Sequence, residues 1–314
     1  MEFLKNPNFD FLGKTKIAVT ASILMIGAGI AFIATQGVRY GVEFSGGTQL
    51  IVKFQSAPQV DRVRNAVDTV AKGATIQSYD QPAKHQVLIR LADTGQAGSE
   101  LSAPAQAVLK ALATSYPENP VLESSTEIVG PIVGEELRRK AIQLTVWGLL
   151  FQLVYIAWRF KGASWGAGAT VAVFHDVLLT LGLLAAFRFE ITLNVIAALL
   201  TLVGYSVNDT IVIFDRVREN LRQRRKEPLA KLINDSINQT LTRTLISNGT
   251  TFLTVLGLYL FGGEVLRGFG FTMVVGILVG TYSTIYIASP VVIWWDKISR
   301  SRKAGSGPTA KAAL

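Results

Sequence analysis

Six apolar runs, each long enough to cross a hydrocarbon core about 30 Å thick, govern what this chain can fold into: 17–35, 141–158, 166–187, 191–214, 245–261 and 269–295. Backbone polar groups in lipid find no water, so each run must satisfy its own hydrogen bonds as a helix. Composition agrees, because 49% hydrophobic and 17% charged residues with a mean hydropathy of +0.36 lie outside the range of ordinary soluble domains. The first run, at 19 residues, exceeds a signal-peptide core of about 7–15 and no Ala-x-Ala site follows it, which predicts a retained anchor. Pro290 and the Trp294-Trp295 pair predict that the last run loosens and meets an interface near its end.

Lys and Arg alternate in density between the connections, with three before the first run, two between the second and third, eight from Arg216 through Arg243, and five after the last. Basic residues accumulate on the cytoplasmic side, so these segments are expected inside. The net charge of +9 and the pI of 9.7 then follow from topology and from attraction to anionic membrane lipid, and no nucleic-acid footprint is needed. The resulting division is 1–16 cytoplasmic, 17–36 first span, 37–140 external domain, 141–295 spans two to six, and 296–314 a disordered cytoplasmic tail. With no cysteine, disulfides and thiolate metal sites are ruled out.

Between the first two spans the periodicity changes from lipid-like to that of a compact domain. Val42, Phe44, Leu50, Val52 and Phe54 read as extended chain broken at Gly46-Gly47; 58–72 reads as a helix with Val60, Val63, Val67 and Val70 on one face. Strands at 74–79 and 86–91, a helix at 99–116 and a strand at 122–129 follow. The fold class is therefore a membrane α-helical protein of six transmembrane helices, with an external α+β, ferredoxin-like βαββαβ domain between helices 1 and 2. His85 reads as a surface or sheet-edge residue, since no second His or Cys accompanies it there.

Asp209 lies inside the fourth run, where a bare charge is costly and by default functional. Low dielectric favours a neutral acid and an opposing guanidinium favours a carboxylate, so a movable Asp–Arg pair can bind and release a proton. Arg243, at the mouth of the fifth run, is the candidate partner; Phe214 as the helix end would put Asp209 roughly 8 Å from it. The alternatives are a static ion pair between packed helices for Asp209 and snorkelling to the interface for Arg243. Asn194, Thr201 and Asn208 recur every seven residues on the fourth run, and Thr240, Thr244, Ser247, Thr251 and Thr254 line the fifth. Packing accounts for most of them, as it does for Gly276-x-x-x-Gly280, and only Asn208 joins the candidate proton site. Asp176 is either a second relay carboxylate or a helix–helix hydrogen-bonding group. Consecutive helical residues diverge by about 100°, which argues against a local His175–Asp176 dyad.

Gly41-Val-Glu-Phe-Ser-Gly-Gly-Thr48, the block Val129 to Ala141, Phe174-His-Asp-Val177, the block Val203 to Asn220 and Ser236 to Leu245 together resemble the SecF family, the smaller half of the bacterial SecDF protein-export factor. The resemblance covers about 9–295. It implies membership in the resistance-nodulation-division superfamily, with Asp209 as the proton-carrying aspartate and Arg243 as its coupled arginine. It also implies a SecD partner supplying six further spans, the SecYEG channel with YajC and YidC, an unfolded preprotein as client, and no cofactor beyond protons as the coupling ion.

No Gly-x-x-x-x-Gly-Lys loop, His-Glu-x-x-His helix or Cys nucleophile occurs, so energy must come from elsewhere than nucleotide hydrolysis; the function the resemblance implies is that of a proton-driven translocase subunit rather than an enzyme. Two other classes compete with it. A passive scaffold of a translocation or insertion complex would tolerate Asp209→Asn. A proton-driven exporter of lipid or small molecules would carry larger external domains and a repeat of the six-span unit.

Overall fold

The structure, a computed structural model, describes residues 7–79, 82–91, 102–160, 163–224 and 226–305. After a 3-10 turn at Leu12–Lys14, helix α1 (Thr15–Gln36) leads into the external domain: α2 (Val42–Ser45), β1 (Gly47–Phe54), α3 (Val60–Asp68), β2 (Thr75–Tyr79), β3 (Gln86–Leu91), α4 (Ala103–Ser115) and β4 (Val121–Val129). The chain then returns to the bundle as α5 (Pro131–Phe160), α6 (Ala163–Ala186), α7 (Leu193–Gln223), α8 (Leu229–Phe261) and α9 (Gly263–Ser283); a π-helical turn at Thr284–Ala288 joins α9 to α10 (Ser289–Gly305). Six helical segments are long and apolar enough to cross a membrane, the last comprising α9, the π turn and α10.

The external domain is a four-stranded antiparallel sheet in the order β2-β3-β1-β4, the ferredoxin-like arrangement that βαββαβ implies. Leu50 and Val52 of β1, Val63 and Val67 of α3, and Val108 and Leu112 of α4 are almost wholly excluded from solvent between sheet and helices. Each such side chain stabilises the domain by roughly 1.5–3 kcal/mol. Val70 lies past the end of α3 and is exposed, so it does not share that face. The start of the second helix, 99–101, lies outside the described residues.

One element differs in kind from its sequence reading. Val42 and Phe44 are buried, but as part of the short helix α2, not of a strand. Phe44 belongs to a buried cluster that includes Leu184 and Ile191 of the bundle. Residues two apart diverge by about 200° on a helix, so Val42 and Phe44 are buried on different sides of α2, and the alternation marked their burial without its geometry. Gly46 and Gly47, at φ +70° and +121°, turn the chain from α2 into β1 in a conformation that costs other residues strain.

The bundle is held by close backbone approaches. A Cβ on Gly29 of α1 would fall 2.8 Å from Cα of Gly182 on α6, and the converse holds for Gly182. Gly276 and Gly280 of α9 sit against Leu202 and Ser206 of α7, as the small-residue spacing predicts. Pro290 has no N–H to continue the ladder, and the helix slips into the π turn just before it, where Ser289 Oγ donates to the Thr284 carbonyl at 3.0 Å.

Helices α7 and α8 run far beyond the apolar segments. Phe214 is not a helix end, the stretch from Arg216 to Arg243 is mostly helix, and Arg243 sits in the middle of α8. Residues 296–305, expected to be disordered, continue α10, while 1–6 and 306–314 lie outside the described residues. Polar periodicity in these extensions is paired internally. Arg159 bonds Asp215, Arg224 meets Asp235 at 3.0 Å, and Asn220 donates to Ser236 at 2.8 Å.

Candidate functional site

Asp209 is 5% exposed on α7 at mid-bundle. Its Oδ2 accepts a hydrogen bond from Asn248 Nδ2 of α8, and the same amide group donates to Thr281 Oγ1 of α9 at 2.6 Å. Tyr205 Oη completes the set, donating to Asn248 Oδ1 at 3.0 Å. One asparagine thus ties together three helices around the acid. Sequence reading missed Asn248, although Thr240, Thr244 and Asn248 recur every four residues and all three are buried. The polar stripe expected on the fifth run is two stripes: this buried one, and Ser247 with Thr254 facing outward.

Arg243 does not engage Asp209 directly. It is exposed and makes no hydrogen bond or ion pair among the described residues. Five residues separate it from Asn248, so the two side chains leave α8 about 140° apart and one rotation of the helix cannot present both. Asn208 is likewise exposed, its side chain makes no hydrogen bond to Asp209 among the described residues, and it lies on one stripe with Asn194 and Thr201. The three recur at the predicted spacing, but on the outward face of α7.

Asp176 stands in a separate buried cluster. Against the expectation from sequence, His175 Nδ1 lies 2.9 Å from Asp176 Oδ1, and the two residues do form a dyad. Consecutive Cα atoms are only 3.8 Å apart, so a short carboxyl and an imidazole Nδ1, both near their own backbone, converge despite the 100° divergence of their Cβ vectors. Ser206 and Ser283 hydroxyls donate to Asp176 Oδ2 at 2.5 and 2.9 Å.

Two family models match this chain: the C-terminal region of the protein export membrane protein SecD/SecF over residues 108–298, and the SecD/SecF GG motif over residues 31–58. The protein translocase subunit SecF of Magnetococcus marinus is 41% identical over 303 residues, covering 96% of both chains. This chain belongs to the SecF family. The SecF subunit of Calditerrivibrio nitroreducens is also 41% identical, over 93% of this chain and 96% of its own. A crystal structure of SecDF, a translocon-associated membrane protein from Thermus thermophilus, superposes with a TM-score of 0.81 at 36% identity, over 93% of this chain. A second SecDF crystal structure, in a super-membrane-facing form, gives 0.70 at 35% identity over 97% of this chain. This chain spans 39% and 41% of those two SecDF chains.

In this SecF-family chain the GG-motif segment meets the bundle through paired backbone. Gly41 N donates to the Ile191 carbonyl at 3.0 Å and Ile191 N to that of Arg39 at 2.8 Å, joining the end of α1 to the connection between α6 and α7. Beside it, Arg90 of β3 grips Glu190 with two nitrogens at 2.6 Å each, and reaches Gln49 at 3.1 Å. The clasp borders a cavity of about 420 Å³ between sheet and bundle. Arg90→Ala is expected to weaken this docking by about 1–2 kcal/mol, since the pair is only partly exposed and Glu190 is left without its partner. Faster amide exchange at Gly41 and Ile191, with the sheet unaffected, is the expected reading.

Glu43 lines the same cavity. Burial pushes its carboxyl above the usual value of 4.5; Glu127 and Glu190 add to the rise, while its own backbone hydrogen bond and Arg90 oppose it. An acid whose folded pKa is raised contributes stability that is complete below its unfolded value and is lost as pH climbs through the folded one. Glu43→Gln is therefore expected to be more stable than the parent at neutral pH and to flatten thermal stability between about pH 4.5 and neutrality. Equal melting temperatures across that window would remove the carboxyl from the account.

Proposed function

We propose that this chain is the proton-driven half of a SecDF-type export factor, acting with a SecD partner in the bacterial inner membrane to promote translocation, and membrane insertion, of unfolded polypeptides. The external domain faces away from the cytoplasm and both termini lie inside in this reading, which the distribution of basic residues supports. The SecYEG channel, YajC and YidC, and an unfolded preprotein are the partners this assigns, anionic lipid meets the basic face, and protons are the only coupling species.

The observation that carries the reading is the arrangement at Asp209: a carboxyl buried inside the helical bundle, held by Asn248 of α8, with the Arg243 guanidinium of α8 turned about 140° from that amide. Exclusion from water favours the neutral acid there, against the one amide donor of Asn248. Loss of its proton creates a charge that Asn248 can only partly satisfy and that Arg243 would stabilise, so α8 gains a reason to rotate. The exposed polar stripes of α7 and α8, comprising Asn194, Thr201, Asn208, Arg243, Ser247 and Thr254, are costly in lipid, and a second six-span half would cover them. Movement in the bundle reaches the external domain through α1, α5 and the clasp at Arg90 and Glu190.

The test is protein export into vesicles containing both subunits under an imposed proton gradient. Arg243→Ala should remove the gradient-dependent part of export, and Arg243→Lys, which keeps charge without the planar fork, should restore part of it. Export that responds to the gradient equally in all three proteins would leave only a scaffold.

A further inference from the structure

The hydrogen bonds around His175 allow its protons to be counted. Tyr282 Oη lies 2.6 Å from the Ala18 carbonyl, which can only accept, so the single phenolic hydrogen is committed there. Ser22 Oγ, 2.9 Å from Tyr282 Oη, must therefore supply the hydrogen of that contact. With its own hydrogen spent, Ser22 can only accept from His175 Nε2 at 3.0 Å, so Nε2 carries a proton. In a neutral imidazole Nδ1 is then a bare lone pair, yet it lies 2.9 Å from Asp176 Oδ1. Two lone pairs do not make that contact. Asp176 Oδ2 accepts from Ser206 at 2.5 Å and lies 2.9 Å from Ser283 Oγ, whose one hydrogen is shared with the Gly280 carbonyl at 3.1 Å; neither serine reaches the Nδ1–Oδ1 contact, so the missing hydrogen lies between those two atoms.

We propose that His175 and Asp176 form a second intramembrane proton-binding site, distinct from Asp209, and that it is loaded and closed in this conformation. Written as imidazolium with carboxylate, or as imidazole with carboxylic acid, the pair holds one shared proton and carries no net charge. It is almost fully buried, at 6% and 1% exposure, where net charge would be expensive. The wire from Nε2 through Ser22 and Tyr282 ends on a main-chain carbonyl, which cannot pass a proton on. Release therefore requires Tyr282 to leave Ala18, and it deposits one negative charge on Asp176. The site joins α1 (Ser22), α6, α7 (Ser206) and α9 (Tyr282 and Ser283), beside the π turn. The titratable groups around it are Tyr282 and Tyr286, ring-packed at 5.2 Å, and Asp209 three residues after Ser206 on α7. No Lys or Arg among the described residues forms an ion pair or hydrogen bond with Asp176. Because α1 leads directly into the external domain, unloading would loosen the helix that carries it. That use rests on the proton-driven reading above, whereas occupancy of the site does not.

The chain has two histidines, and His85 lies in the external domain at φ +51°, a conformation Asn accepts. In His85→Asn protein labelled with nitrogen-15 histidine and placed in lipid with its partner subunit, a single imidazole remains. We expect Nε2 to carry a proton. Nδ1 should show either a proton or a strong acid hydrogen bond, the latter accompanied by a carboxylic-acid infrared band that Asp176→Asn removes. A bare Nδ1 with no such band would overturn the proposal without any variant at the site. Asp209→Asn should leave the signature unchanged, and its loss there would mean one proton site, not two. Because the readout is occupancy, a failure here is distinct from a failure of gradient-driven export.

Discussion

Vesicles carrying Asp209→Asn are expected to export at the rate seen without a proton gradient, whatever gradient is imposed. Moving one charge through 100 mV is worth about 2.3 kcal/mol, roughly a 50-fold bias on a two-state equilibrium, and that bias requires a group whose charge changes. Asparagine cannot titrate, but its side-chain oxygen can still accept from Asn248 Nδ2, so the contact joining α7 to α8 survives in kind. Folding should therefore change by no more than about 1 kcal/mol, the net worth of one hydrogen bond. The measurement is initial export rate against gradient, with thermal stability as the control. Gradient-stimulated export by the Asn protein would show that Asp209 is only a packing group.

The largest effect on stability is expected from Gly182→Leu. A Cβ alone at this position would lie 2.8 Å from the Gly29 backbone, which cannot give way as a flexible side chain could. Helix α1 must then withdraw from α6. Overpacking of this kind costs about 1–3 kcal/mol in ordinary cores, and here it also pulls Ser22, seven residues before Gly29 on the same face, away from His175. The expected result is a lowered melting temperature in detergent and weaker association of α1 with the bundle, read by cross-linking between introduced cysteines. Gly27, two residues away, meets nothing within 4 Å, so Gly27→Leu should fall within about 0.5 kcal/mol of the parent. Equal loss in both proteins would mean that the leucine acts through helix propensity or lipid contact and not through the crossing.

The candidate site was legible in part. Asp209 stood out because an acid in an apolar run is rare, and rarity needs no neighbours to be seen. Asn248 did not, since an asparagine among threonines and serines on a membrane helix looks like ordinary packing until the rotation of α8 is known. Arg243 was found for its charge, but its outward direction depends on that same rotation. The His175–Asp176 contact was dismissed from ideal helix geometry, which describes where Cβ atoms point and not how far two short side chains can bend toward each other.

Apolar run length and residue periodicity by themselves determined six crossings and a βαββαβ insertion, because lipid and a sheet-helix core each impose a repeat that any sequence occupying them must obey. Which polar groups meet inside the bundle was decided only by the tertiary structure. A helix fixes the angles between its own residues but not its rotation against a neighbour, and that rotation follows from long-range packing such as Gly29 on Gly182 and Gly280 on Ser206.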